Sequence, residues 1–312
     1  MKTDAVTAAD LRRSVIAVPP LARARNGAVS VVENRKIVAH MAAGGVSTFL
    51  YGGNANFYNL GVLEYPLTLE VLVDIAPADA WMIPSIGPDF GKALDQVTIL
   101  KSFGFPTAMA LPMASATRPA GVATGLRRLA DAFGRPVVAY VRSEGYFAPA
   151  DMARLVADGV VASVKYAVER TDPRQDAYLR ALVDAMGTER LVSGIGERPA
   201  VIHVAEFGLA GFTSGSVAIA PHLSTAILAA LKAGDRTRAD ALRERFLAFE
   251  DERDRISPMV VLHDGVRVAG IADTGPLQPF LANLDAAGAA AIAGPARALL
   301  EDDRRFAARA AA

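Results

Sequence analysis

Short apolar, β-branched runs recur along this chain at intervals of roughly 20–35 residues. They are Ser14–Val18, Ser47–Tyr51, Trp81–Ile86, Thr107–Leu111, Val137–Val141, Val161–Lys165, Arg190–Ser193 and Gly211–Ser214. Several have the near-continuous apolar character of strands buried on both faces of a parallel sheet. Between them the apolar positions switch to helical spacing, over Val31–Ala43, Thr68–Ile75, Phe90–Phe103, Ala120–Phe133, Pro149–Ala157, Arg174–Met186 and Arg198–Phe207. Asp172 before Pro173 reads as an N-cap followed by Pro at the first helical position. Gly44, Gly104, Gly134, Gly159, Gly187 and Gly208 follow helical segments, where a left-handed residue commonly ends a helix.

Eight such runs alternating with helices predict an α/β architecture. Their spacing favours a closed (β/α)8 TIM barrel of about 250 residues over an open doubly wound sheet. An open sheet more often carries a glycine-rich phosphate loop after its first strand. Here the first strand leads into Pro19-Pro20-Leu21. Beyond the eighth run the pattern becomes helical throughout: Pro221–Ala233, Arg236–Arg255, Pro276–Leu284 and Pro295–Arg309. The alternating charge of Arg236–Arg255 predicts a helix exposed on one face. The expected organisation is a barrel over residues 1–221 and a C-terminal helical extension over 222–312, packed on the barrel.

Composition narrows the class. In 312 residues, 52% are hydrophobic and 21% charged, as in a well-packed globule, and the formal net charge is +0. That balance predicts no basic surface for nucleic acid. No run of roughly 20 apolar residues is present to span a bilayer, and Met1–Arg13 lacks the apolar core of a signal peptide. A cytoplasmic protein without nucleic-acid or membrane partners is the expectation. The absence of cysteine excludes disulfides and thiolate metal sites, and His40, His203, His222 and His263 are widely separated. No metal site is expected.

Against this background Lys165 stands out. It lies in Val160-Val161-Ala162-Ser163-Val164-Lys165-Tyr166-Ala167-Val168, an otherwise buried run, in a chain that mostly supplies basic charge with arginine. A buried ammonium is costly unless it is paired or its pKa falls. A lowered pKa is what a lysine needs to attack a carbonyl and form an imine, which arginine cannot do. The plain alternative is a strand-end lysine that snorkels to water.

Barrel active sites lie at the C-terminal ends of strands and in the loops that follow. Tyr140 falls near the end of the fifth run, next to the Lys165 strand, as a proton relay or as a core aromatic with its hydroxyl at the rim. Gly53, Asn54 and Ala55 follow the second run, either as a carboxylate-binding turn or as a plain tight turn. Gly194 and Glu197 follow the seventh, where Glu197 and Arg198 either cap the next helix or select substrate. Thr213 and Ser214 end the eighth, their hydroxyls within reach of a substrate.

Taken in order, the Gly-Gly turn after strand two, Tyr140, Lys165, Ser193-Gly194 and Gly208-Leu209-Ala210-Gly211-Phe212-Thr213-Ser214 resemble the dihydrodipicolinate synthase/N-acetylneuraminate lyase superfamily of Schiff-base aldolases. Val15-Ile16-Ala17-Val18-Pro19-Pro20-Leu21 is similar to that family's first strand and turn, and the resemblance spans roughly residues 12 to 300. It implies a homotetramer or homodimer in which Lys165 forms an imine with a 2-keto acid and Tyr140 handles protons. No metal or organic cofactor is implied. This chain departs from the pattern in places. The family's Gly-Thr-Thr-Gly-Glu turn is here Gly53-Asn54-Ala55-Asn56-Phe57, and the tyrosine after strand four is absent from Leu111-Pro112-Met113-Ala114-Ser115. Arg142 lies closer to Tyr140 than the family's arginine does. The expected activity is a pyruvate aldolase or keto-sugar-acid dehydratase. The alternative is a catalytically impaired barrel that binds a small keto acid as a sensor or structural protein.

Overall fold

The computed structural model describes residues 1–311, and its eight strands close into a parallel barrel in the order β1 to β8. The strands are β1 (Ile16–Ala17), β2 (Thr48–Tyr51), β3 (Trp81–Ile86), β4 (Met109–Ala110), β5 (Val137–Val141), β6 (Val161–Tyr166), β7 (Leu191–Ser193) and β8 (Gly211–Ser214). Each falls within or beside one of the eight apolar runs. Residues of β2, β3, β6, β7 and β8 are buried throughout, because the barrel interior covers one face and the helical ring the other.

After the short α1 (Ala8–Arg13), the ring comprises α2 (Val31–Ala43), α3 (Tyr65–Ile75), α4 (Phe90–Leu100), α5 (Pro119–Phe133), α6 (Pro149–Ala157), α7 (Ala177–Met186) and α8 (Glu197–Ala205). The punctuation mostly follows the expected chemistry. Gly134 ends α5 with φ 72°, and its N–H reaches back to the Ala130 carbonyl. Two signals fall elsewhere. Gly44 has φ −86°, and the left-handed residue is Gly45 at φ 88°. The N-cap of α7 is Asp176, which accepts from the Leu179 N–H, whereas Asp172 and Pro173 form a turn before the helix.

Five helices follow β8: α9 (Pro221–Lys232), α10 (Arg236–Arg243), α11 (Leu247–Arg255), α12 (Pro258–Val268) and α13 (Ala286–Ala311). The expected single helix over Arg236–Arg255 is divided by a 3-10 turn at Glu244–Phe246. The expected helix over Pro276–Leu284 is absent. That segment is an irregular strap whose backbone is satisfied by side chains: Leu277 N–H donates to Asn283, and Leu284 N–H to Asp264. The unexpected α12 is buried almost all round, from Val260 to Val266, so it carries no polar face to advertise a helical period.

The tail is pinned to the barrel by polar contacts as well as apolar ones. Asp303 on α13 accepts from the Leu223 N–H at the start of α9 and contacts His222. Glu250 on α11 accepts from the Glu197 N–H at the start of α8. Among the described residues no helix is long and apolar enough to cross a membrane.

Candidate active site

Lys165 and Tyr140 are register partners on adjacent strands β6 and β5. The Lys165 Nζ lies 4.1 Å from the centroid of the Tyr140 ring. Lys165 is 5% exposed, so it does not snorkel out to bulk water. Burial, followed by the charges of Arg142 and Arg253, brings its pKa down to about 7. The face of the tyrosine ring works in the other direction, since it favours an ammonium. The result is an amine that is neutral often enough near neutrality to act as a nucleophile.

The amine opens on a cavity of about 100 Å³ at the barrel mouth, lined by Gly53, Asn54, Tyr140, Arg142, Gly194 and Thr213, with Val18 and Ala167 beside them. The turn after β2 brings Asn54 across to β1, where its side-chain amide donates to the Val18 carbonyl at 2.9 Å. The backbone N–H groups of Gly53 and Asn54 donate no hydrogen bond among the described residues, and both residues line the cavity. Gly194 is required by close packing. A Cβ there would sit 2.7 Å from the Tyr166 carbonyl oxygen and 3.0 Å from Lys165 Cγ.

Three expected site residues lie elsewhere. Ala55 is buried in the hydrophobic core. The Ser214 hydroxyl accepts from the Val217 N–H and shapes the turn after β8 instead of facing the cavity. Glu197 is fully buried between α8, α9 and α11. It accepts a hydrogen bond from the Ser224 hydroxyl, and its own N–H is capped by Glu250. Glu197 therefore neither caps α8 nor lines the cavity, and Arg198 is engaged by Asp251 and Asp254.

Four polar side chains in the lining escaped the sequence reading: Tyr58, Glu169, Arg253 and Asp254. Tyr58 lies beside Arg142, and burial pushes its hydroxyl up to about 12. Arg253 comes from α11, a helix that reads in sequence as solvated charge. A larger cavity of about 370 Å³ lies between α4 and α5 and shares Tyr140, but its walls are mostly apolar and contain no lysine or acid. The buried amine opens on the smaller cavity.

A buried lysine at the mouth of a (β/α)8 barrel defines a class of site shared by many proteins, and the comparisons narrow it. The sequence matches the dihydrodipicolinate synthetase family over residues 13–287, and the chain belongs to that family. A probable 5-dehydro-4-deoxyglucarate dehydratase from Streptomyces coelicolor is 25% identical over 78% of this chain and 76% of its own length. A 4-hydroxy-tetrahydrodipicolinate synthase from Hyphomonas neptunium is 26% identical over 72% of this chain and 77% of its own. Among solved structures, dihydrodipicolinate synthase from Bacillus clausii superposes with a TM-score of 0.81 at 20% identity, covering 95% of this chain and 98% of that one. A prophage protein of the dihydrodipicolinic acid synthase family from E. coli, solved in complex with pyruvate, gives 0.79 at 16% identity, covering 92% and 98%. At these identities the structural likenesses speak for the fold.

Proposed function

We propose that this protein is a Schiff-base-forming lyase acting on a 2-keto acid through Lys165. The observation that carries the reading is the buried Lys165 amine, held against Tyr140 with its pKa brought down to about 7, at the end of a cavity with free backbone donors. The neutral amine adds to the keto carbon, and the carbinolamine loses the former carbonyl oxygen as water. The protonated imine then accepts the electron pair released at the neighbouring carbon. That pair comes from a C–C bond in an aldolase: the far fragment departs as a carbonyl compound while its hydroxyl gives up a proton, and the enamine left on the lysine takes a proton to return to the imine. In a dehydratase the pair comes from a C–H bond, and a β-hydroxyl then leaves as water. Hydrolysis of the imine returns the lysine.

In this scheme Tyr140 carries the proton between the adduct and the leaving or attacking oxygen. Gly53 and Asn54 hold the carboxylate next to the keto group, where oriented donors stabilise developing charge. Thr213 and Arg142 line the rest of the substrate path. The two curated relatives carry names of different reactions, a dehydratase and a synthase, so the reading stops at the lyase level. An oligomeric assembly belongs to the same proposal, by likeness to the family.

Three observations favour the second reading, a barrel that binds a keto acid without turning it over. Tyr140 offers its ring face to the amine, its hydroxyl makes no hydrogen bond among the described residues, and the β2 turn contributes no side-chain hydroxyl. Two measurements separate the readings. Incubation with pyruvate and borohydride followed by intact mass tests the imine, and its site is located by peptide mapping. A panel of 2-keto-3-deoxy sugar acids assayed for pyruvate release and for dehydration tests turnover. An enzyme gives a Lys165 adduct and at least one product. A binder gives the adduct alone, and no adduct at Lys165 overturns both.

A further inference from the structure

The geometry points to Arg253, delivered by α11 of the C-terminal extension, as the charged receiver of the keto acid's own carboxylate, acting together with the Gly53-Asn54 turn. This deepens the proposed function and rests on it. The side-chain hydroxyls that the resemblance leads one to expect in the turn after β2 are missing, and the turn itself offers only amide donors. A full guanidinium charge stands next to it.

Arg253 is built into its position. Its side chain is 9% exposed, its Nη1 donates to the Ser216 hydroxyl at 3.0 Å, and the same nitrogen lies 3.4 Å from Glu250 Oε1. Nε is buried with no partner, and Nη2 makes no hydrogen bond among the described residues. The guanidinium is thus held on one edge and left unsatisfied elsewhere, while the side chain forms part of the cavity wall. A buried charged donor without a partner is costly, which is the state a bound anion relieves.

Gly215 places Arg253 beside the β2 turn. A Cβ at Gly215 would lie 2.8 Å from Asn54 Nδ2 and 3.6 Å from Arg253 Nη2. The two nitrogens therefore flank one gap that a glycine leaves open, in the wall of the cavity that Lys165, Gly53 and Asn54 also line. Arg142 approaches from the β5 side next to Tyr58.

The surrounding acids leave this charge available. Asp254 is engaged by Arg198 at 3.3 Å, and Glu169 is exposed. Glu250 is packed against Glu197, and burial together with that neighbour raises its carboxyl well above the ordinary carboxylate range. It touches the guanidinium through Nη1 alone, at 3.4 Å.

The test compares borohydride trapping of pyruvate with trapping of hydroxyacetone, a ketone that lacks the carboxylate, in the wild type, Arg253→Met and Arg253→Lys. The readout is the ratio of the two half-saturating concentrations, pyruvate over hydroxyacetone, which cancels any change in the reactivity of the amine itself. Loss of a charge-assisted contact is expected to raise this ratio about 30-fold in R253M. R253K keeps the charge but loses the fork, so about 5-fold is expected there, and it decides the matter if R253M does not fold. A ratio within about twofold of wild type in a folded variant overturns the assignment while leaving the imine chemistry intact. A wild type that traps neither ketone overturns the proposed function and this inference with it.

Discussion

Lys165 stands opposite Tyr140 because the pairing of β5 with β6 slips by one residue at its start. Val137 pairs with Val161, but Val138 already pairs with Ser163, and the offset carries Tyr140 to Lys165. An unbroken register would have set Tyr140 against Val164. Bulges of this kind commonly re-aim a side chain at the rim of a barrel, and here the slip brings ring and amine to the same level.

From this pairing, the tyrosine hydroxyl and the tyrosine ring separate experimentally. Tyr140→Phe keeps the ring face over the amine. It is expected to form the pyruvate adduct at saturation as the wild type does, while turnover falls by roughly 10²–10³-fold because the proton carrier is gone. Parallel assays of borohydride trapping and product release check this. Equal turnover in both proteins would remove Tyr140 from the proton path.

Lys165 should weaken the fold. Its folded pKa is about 7, against 10.5 for an ordinary lysine. Between those values the unfolded chain binds a proton that the folded chain refuses, so the group costs stability as the pH falls from about 10.5 to about 7, and the cost is constant below that. Lys165→Met is expected to be more stable than wild type by a few kcal/mol at about pH 7, with the gain fading toward pH 10.5. Denaturant melts at several pH values measure it. The same variant should form no adduct.

Arg142 is the larger of the two charges that depress the Lys165 pKa. Arg142→Met is therefore expected to move the acid limb of the imine-formation profile to higher pH, with trapping at about pH 7 roughly 3–10-fold slower and the rate above pH 9 nearly restored. An unshifted profile would show that the Arg142 charge does not set the amine.

Two glycines in the lining should respond differently. Gly194→Ala forces a methyl group against the Tyr166 carbonyl and Lys165 Cγ, and a loss of about 1–3 kcal/mol together with impaired trapping is expected. Gly53→Ala meets only Tyr58 Cε2 at 3.5 Å, an ordinary contact, so its melting temperature should stay close to wild type. Thermal melts and trapping yields on the pair distinguish steric placement of the amine from general intolerance to substitution.

The barrel was legible because its strands are buried on both faces and so appear as short apolar runs separated by helical periods. Lys165 was legible because one charge inside such a run has no structural reason to be there. Most of the failures share a cause: determinants that are distant in sequence. Pro276–Leu284 resembles a helix locally, yet Asp264 and Asn283 fasten it as a strap. Glu197 resembles a helix cap or a rim residue, until Glu250, more than fifty positions later, takes the capping role. Arg253 sits in a charged stretch that nothing local distinguishes from a solvated helix, and only the folding of α11 over the barrel turns one of its arginines inward.

The capping of Glu197 by Glu250 also bears on how such a protein can be cut or recombined. The seam between barrel and tail crosses the wall of the Lys165 cavity. Grafting the last ninety or so residues of a homologue onto these eight strands would exchange part of the cavity wall along with the scaffold, and a barrel ending at Pro221 would leave the head of α8 uncapped and the cavity open on that side.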